Sequence, residues 1–177
     1  MLGLAALLAA ACGPASKEAA KPPLGLGTLP AFLPDNTVPV DQIVTASNGR
    51  PQLAVQGVAV EVDLPSGRVL ATVTGPQVPP FVAPPPPAVT ATFTVSLGHA
   101  SGTVPIRLSD FTITDQSGRT FEPALVAGEA PPPATVGAGS TANFQVTAVM
   151  PTGEGRLHWA PTGNPPIVGW DFIVEND

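Results

Sequence analysis

The chain has 177 residues, including 24 prolines and 18 glycines, and a formal net charge of -6. Charged residues make up only 11% and apolar residues 44%, which excludes a wholly disordered chain, while the high proline and glycine content argues against a helical bundle. A negatively charged surface repels phosphate groups, so we expect neither a nucleic-acid partner nor a polybasic attachment to anionic lipid.

The chain opens with an apolar run, residues 2 to 11, that ends at Cys12, the only cysteine. A helix of ten residues reaches about 15 Å, half of the roughly 30 Å hydrocarbon core, so the run is too short to span a membrane and has the length of a signal-peptide apolar region. Leu8 and three alanines precede the cysteine. A single cysteine excludes an intramolecular disulfide and a cysteine-rich metal cage.

This run resembles the lipobox of bacterial lipoproteins, whose cysteine is linked to diacylglycerol and becomes the first residue of the mature chain. The resemblance implies that Cys12 is lipidated, and two acyl chains suffice for stable membrane anchoring. Leu8 lies one position further from the cysteine than in the usual pattern, and no Lys or Arg precedes the run, which indicates an upstream start codon or missing first residues. The alternative is a buried N-terminal helix with an inert core cysteine.

Residues 13 to 39 contain six prolines and show no apolar periodicity. Such a segment is typical of a disordered, semi-extended tether. We therefore predict three segments: a lipoprotein leader over residues 1–12, a proline-rich tether over 13–39 and one folded domain over 40–177.

Apolar residues at alternate positions recur through the predicted domain, while no segment after residue 12 has the helical spacing i, i+3, i+4, i+7. The clearest strand covers residues 88 to 98, where five apolar residues alternate with threonine and serine, and residues 141 to 150 repeat the pattern. Further strands are predicted at residues 40–46, 52–64, 68–74, 111–114, 119–121, 155–160 and 166–175. This series of short strands predicts an all-β protein, an immunoglobulin-like antiparallel β-sandwich.

The apolar phase changes by one residue within residues 52 to 64, around Gly57. A slip of one residue turns every following side chain to the opposite face of a strand. A bulge at Gln56-Gly57 is therefore predicted to restore the facing.

Turn residues separate the predicted strands. Pro65-Ser66-Gly67 predicts one hairpin, and residues 115 to 118 predict another, in which the aspartate opens the turn and the glycine supplies a positive φ. The proline-rich residues 76 to 87 and 131 to 133 are predicted to be loops or edge covers, because proline cannot donate a hydrogen bond to a sheet.

Four segments together resemble a family of secreted and lipid-anchored bacterial immunoglobulin-like domains of unknown function. They are the strand from Val89 to Leu97, residues 108 to 119, the stretch from Gly139 to Pro151 and the closing Gly169-Trp170-Asp171-Phe172. The order of features is also loosely similar to the superfamily of a mycobacterial immunoprotective extracellular antigen. The family has no agreed catalytic residues, so the resemblance carries none over. Two lysines against five arginines also fit an actinobacterial origin.

His99 and His158 are the only histidines, the residue type that most often serves as a general base. His99 is followed by Ser101 and later by Ser109 and Asp110, the residue types of a Ser-His-Asp triad. No G-x-S-x-G motif accompanies them, and a serine in a glycine-rich turn is ordinarily a turn residue. His158 is expected to face away from the core. We therefore predict no catalytic residue.

Metal and cofactor sites are not predicted either. Asp110, Asp115 and Glu122 lack the spacing of a calcium loop and are expected to be solvated carboxylates. Trp159 and Trp170 lie at alternating strand positions and are expected to be core residues rather than stacking platforms for a ligand.

The sequence thus favours an extracytoplasmic module, anchored to the cell membrane by N-terminal lipid at Cys12. We expect it to bind an envelope or host protein without catalysis. One alternative is a carrier with an apolar cavity inside the sandwich for a lipid or glycolipid. A third hypothesis, a hydrolase, requires His99 to meet a serine and a carboxylate.

Overall fold

The structure is a computed structural model, and it describes residues 43–80, 86–163 and 165–175. Within these residues the chain forms thirteen strands and one short 3₁₀ helix, Leu108–Asp110. The strands are β1 (Val44–Ala46), β2 (Gln52–Val55), β3 (Val60–Leu64), β4 (Gly67–Gln77), β5 (Val89–Gly98), β6 (Val104–Pro105), β7 (Phe111–Asp115), β8 (Thr120–Phe121), β9 (Ala124–Leu125), β10 (Thr135–Val136), β11 (Ala142–Met150), β12 (Gly153–Trp159) and β13 (Val168–Val174). The predicted leader, the tether and Cys12 lie outside the described residues.

Two sheets make up the fold. The six-stranded sheet has the order β1-β3-β4-β5-β11-β9, and the five-stranded sheet has the order β2-β13-β12-β7-β8, while β6 and β10 form a separate two-stranded ribbon. Neighbouring strands run antiparallel except for two pairs, β1 with β3 and β2 with β13, which are parallel. The predicted immunoglobulin-like β-sandwich is confirmed.

Alternate residues of the long strands form one core between the two sheets. Phe93 of β5 meets Phe172 of β13 with ring centroids 4.7 Å apart, and Phe111 of β7 meets Phe144 of β11 at 5.7 Å. Trp159 and Trp170 are 0% and 1% exposed. The two tryptophans are therefore core residues, as predicted.

The predicted bulge at Gln56-Gly57 is wrong. Residues 52 to 64 form two strands in different sheets, β2 in the five-stranded sheet and β3 in the six-stranded sheet. Gly57, with φ 83°, lies in the crossing, and its N–H donates to the carbonyl of Val73. The apolar phase changes because the chain moves from one sheet to the other at this point. The side of the chain that faces the core in β2 is therefore opposite to the side that faces the core in β3.

The other turns follow the prediction closely. Leu64 pairs with Gly67, which confirms the hairpin at residues 65 to 67. The N–H of Gly118, with φ 82°, donates to the carbonyl of Asp115, which confirms the second turn.

The proline stretches are confirmed only in part. Residues 131 to 133 lie outside every strand, as predicted, whereas Pro76 belongs to β4, a central strand. The register between β4 and β5 shifts between Thr74 and Gln77, so the proline lies at an irregularity where no regular ladder bond is required. Residues 81 to 85 of the same stretch lie outside the described residues.

The chain passes between the sheets at both sides of the sandwich. At one side β1, β2 and β3 alternate between the six-stranded and the five-stranded sheet, and at the other side β8 and β9 do so. The candidate site lies on the outer face of the five-stranded sheet.

Candidate functional site

The outer face of the five-stranded sheet contains a groove over one row of residues, hereafter the outer groove. The strand register places Val55, Asp171, Arg156 and Thr114 side by side on β2, β13, β12 and β7. Their side chains point outward because the residues next to each of them along the strand point into the core. The groove has a volume of about 670 Å³.

An ion pair lies in the middle of the outer groove. Nε of Arg156 donates to Oδ1 of Asp171 over 2.6 Å, and both side chains are about half exposed. An ion pair that is this open to water adds little to stability. Its charges therefore remain accessible to a molecule that enters the groove.

A glycine provides the space for this pair. Arg156 and His158 both lie over Gly169, where a Cβ atom would be 2.8 Å from Cδ of the arginine. The imidazole of His158 is held 3.0 Å from Oγ1 of Thr114 through its Nε2 atom. Burial lowers the pKa of His158, and Arg156 lowers it further, against the opposing effect of Asp171. The ring is thus a neutral neighbour of the ion pair at neutral pH, and it faces away from the core as predicted.

Apolar side chains flank the ion pair. Val55 is 60% exposed and Ile173 is 48% exposed, although both belong to strands. Leu53, two residues before Val55 on the same face of β2, is exposed as well. Exposed apolar side chains grouped around a groove are typical of a binding surface.

One end of the outer groove is acidic. Glu154 lies opposite Ile173 on the neighbouring strand, and Glu175 follows Ile173 by two residues. Within the described part of the chain, neither glutamate side chain has a hydrogen-bond or ion-pair partner. The groove therefore combines a central ion pair, apolar side chains that flank the pair, and a negatively charged end.

Asp115 also borders the groove, but its carboxylate is occupied by its own hairpin. Oδ1 accepts from the N–H and the hydroxyl of Ser117 and from the N–H of Arg119, whose guanidinium binds Oδ2. The pKa of Asp115 falls to about 2, chiefly because of the Ser117 hydroxyl, with Arg119 adding to the effect and desolvation opposing it. This carboxylate organises the turn.

We predict an acid-dependent loss of stability from this turn. Because the folded pKa of Asp115 is about 2 and its ordinary value is 3.8, its stabilisation is complete above about pH 4 and is lost as the pH falls towards 2. In Asp115→Asn the free energy of unfolding, measured by urea denaturation, should fall less steeply over this pH range than in the wild type. Glu122→Gln, at an exposed carboxylate, is the control. An unchanged acid profile in Asp115→Asn would contradict the prediction.

The structure does not join the residues that the hydrolase hypothesis would need by side-chain hydrogen bonds within its described part. His99 is exposed in the loop after β5, and Oγ of Ser101 accepts from the N–H of Arg68. Ser109 and Asp110 belong to the 3₁₀ helix before β7. Burial raises the pKa of Asp110, and Arg107 partly offsets the effect.

Residues 43–80, 86–163 and 165–175 contain no group of three His, Cys, Asp or Glu side chains that could hold a metal ion. No helix in the same ranges has the length and apolar character needed to cross a membrane.

Sequence reasoning missed the composition of the outer groove. Arg156 and Asp171 are fifteen residues apart in the chain, and β2 reaches β13 only through a parallel pairing. The sequence did indicate that Asp171 and Ile173 face outward in the last strand. Pairing that strand with the preceding one would have placed the outward residues of β12 beside them. The sequence pattern does not reveal the register in which these strands pair.

The fold belongs to a class of β-sandwiches that is seen in bacterial proteins. It is similar to a secreted protein from Mycobacterium tuberculosis, MPT63, with a TM-score of 0.53 and 15% identity over 69% of this chain and 98% of that protein. It is also similar to a candidate lipoprotein, YcdA, from Bacillus subtilis, with a TM-score of 0.51 and 11% identity. That match covers 67% of this chain but only 39% of YcdA. At these identities the likeness shows the fold alone.

The sequence matches no family model and no curated protein.

Proposed function

We propose that this chain is an extracytoplasmic lipoprotein whose sandwich binds an envelope or host protein through the outer groove, without catalysing a reaction. The observation that carries the proposal is the groove itself. It exposes Val55 and Ile173 beside an accessible ion pair. The opposite face of the same sheet packs against the core. A surface of this composition suits recognition of another molecule.

The proposed location has two supports. The lipobox-like run before Cys12 supports an N-terminal lipid anchor. The similarity in fold to a secreted mycobacterial protein and to a candidate lipoprotein supports an extracytoplasmic domain. Under this proposal the membrane is a partner through the lipid, and the groove faces partners outside the cell membrane.

The absence of catalysis is part of the proposal. Arg156 and Asp171 neutralise each other, and His158 is engaged with Thr114. None of these groups is arranged as a nucleophile with an adjacent general base. The carrier alternative needs an enclosed apolar cavity, whereas the outer groove is open and contains charged residues.

The proposal is tested by capture on the full-length protein. Wild type, Val55→Ser and Val149→Ser are crosslinked to envelope proteins in intact cells, and the captured partner is quantified by mass spectrometry. Val149 is the matched control, because it is 65% exposed on a strand of the other sheet. We expect Val55→Ser to reduce capture about fivefold, since an exposed valine in an interface contributes about 1 kcal/mol.

Val149→Ser should capture as much partner as the wild type. Equal capture by all three proteins, or an equal loss in both variants, would contradict binding through the outer groove.

A further inference from the structure

We propose that the occupant of the outer groove is an extended, basic segment of a partner protein. In this segment one Lys or Arg is followed, at the second and fourth positions after it, by apolar residues. The inference rests on the proposed function and names the chemistry of its partner. The supporting observation is the order of charged and apolar side chains along β13 and on the strands that pair with it.

The charge of the groove selects a cation. Arg156 is paired with Asp171, so the ion pair contributes no net charge. Glu154 and Glu175 remain, without side-chain partners in the described part of the chain. A Lys or Arg side chain placed at this end meets two carboxylates, and no further cation among the described residues borders the groove there.

The apolar side chains exclude a simple ionic ligand. Val55 and Ile173 are 60% and 48% exposed, and both border the groove. A metal ion or a polyamine would leave them in water. A ligand that covers them must combine a cationic group with apolar groups on one molecule.

The spacing fits a peptide in an extended conformation. Glu175 and Ile173 are two residues apart on the same face of the chain, and Val55 lies beside Asp171, a further two residues back. In an extended chain, residues two positions apart are separated by about 7 Å, and this spacing is the same in β13 and in an extended ligand. A segment that runs along β13 can therefore place its cation at Glu175 and its two apolar residues at Ile173 and Val55.

The opposite assignment, an acidic segment bound by Arg156, is the main competitor. Its carboxylate would have to displace Asp171 from Nε of Arg156 and would approach Glu154 and Glu175. We therefore assign the cationic segment and make the acidic one an outcome of the experiment.

The probe is a capped, fluorescein-labelled peptide with Lys, Val and Val at alternate positions and Thr between them. A second peptide carries Glu in place of Lys, and a third carries Ser in place of both Val residues. Binding to the full-length protein in detergent is measured by fluorescence anisotropy at low and high salt. We expect the first peptide to bind most tightly and to weaken at high salt, because exposed charge pairs are screened.

Two pairs of variants locate the binding. The double variant Glu154→Gln with Glu175→Gln should weaken binding of the Lys peptide about fivefold, while Glu122→Gln with Glu129→Gln changes the net charge equally outside the groove and should leave it unchanged. Ile173→Ser should also weaken binding, whereas Val149→Ser should not. Thermal unfolding of each variant verifies that the fold is retained.

Three results would overturn the inference: tighter binding of the Glu peptide, equal weakening by both double-glutamate variants, or no binding of the Lys peptide. If the Lys peptide does not bind while capture in cells still depends on Val55, the assignment of a basic segment is wrong and the proposed function stands. If the peptide binds at the groove but capture does not depend on Val55, the proposed function fails and the peptide site remains.

Discussion

Replacement of Trp159 with alanine is expected to lower the free energy of unfolding by about 3–5 kcal/mol. Trp159 is fully buried, and its ring is stacked on Phe111 with centroids 5.7 Å apart and the planes nearly parallel. Alanine would remove this contact and leave a cavity between the sheets. The measurement is urea denaturation followed by far-UV circular dichroism, which avoids the change in tryptophan fluorescence.

Phenylalanine substitutions supply the control for this prediction. Nε1 of Trp170 donates to the carbonyl of Val58 over 3.0 Å, whereas Nε1 of Trp159 has no partner in the described part of the chain. Trp170→Phe leaves a carbonyl without its donor, so we expect it to cost about 1 kcal/mol more than Trp159→Phe. The reverse order, or a loss below 1 kcal/mol in Trp159→Ala, would contradict this account of the core.

Substitution of Cys12 is expected to move the protein from the membrane fraction to the soluble fraction. A diacylglyceryl group buries two acyl chains at about 0.8 kcal/mol per methylene, enough for stable anchoring, and Cys12 is the only cysteine that could carry it. In a bacterial host that processes lipoproteins, Cys12→Ala should lose labelled fatty acid and its membrane association together. Labelling and fractionation of the same cells provide the measurement.

Ser16→Ala, four residues further along the predicted tether, is the matched control and should stay labelled and membrane-bound. Labelled fatty acid on Cys12→Ala would show that the lipid is not attached at this cysteine. A variant that loses the label but remains in the membrane would point to a second attachment.

The strands that the sequence predicts best are those whose two faces differ most. In β5 and β11 apolar residues alternate with threonine, serine, asparagine and glutamine, and the structure buries the apolar set between the sheets. The hairpin at Asp115 is predictable for another reason, because its hydrogen bonds join residues within four positions of one another. Both features depend on local sequence alone.

What the sequence does not predict depends on pairing between distant strands. The phase change at Gly57 is compatible with a bulge or with an exchange of sheets, and only the partners of β2 and β3 distinguish the two. Strands β6, β9 and β10 have two residues each, too few to show a period. Arg156, Asp171 and Val55 share a groove only because of the register of three strands.

The passage of the chain between the sheets at both sides limits how the sandwich can move. The two sheets are joined covalently through the β1-β2-β3 crossings at one side and through the β8-β9 connection at the other. Separating the sheets would require strand pairings to break at both of these sides before a ligand could reach the interior. The proposed recognition on the outer face needs no such opening, so under that proposal the domain would bind and release a partner without rearranging its sheets.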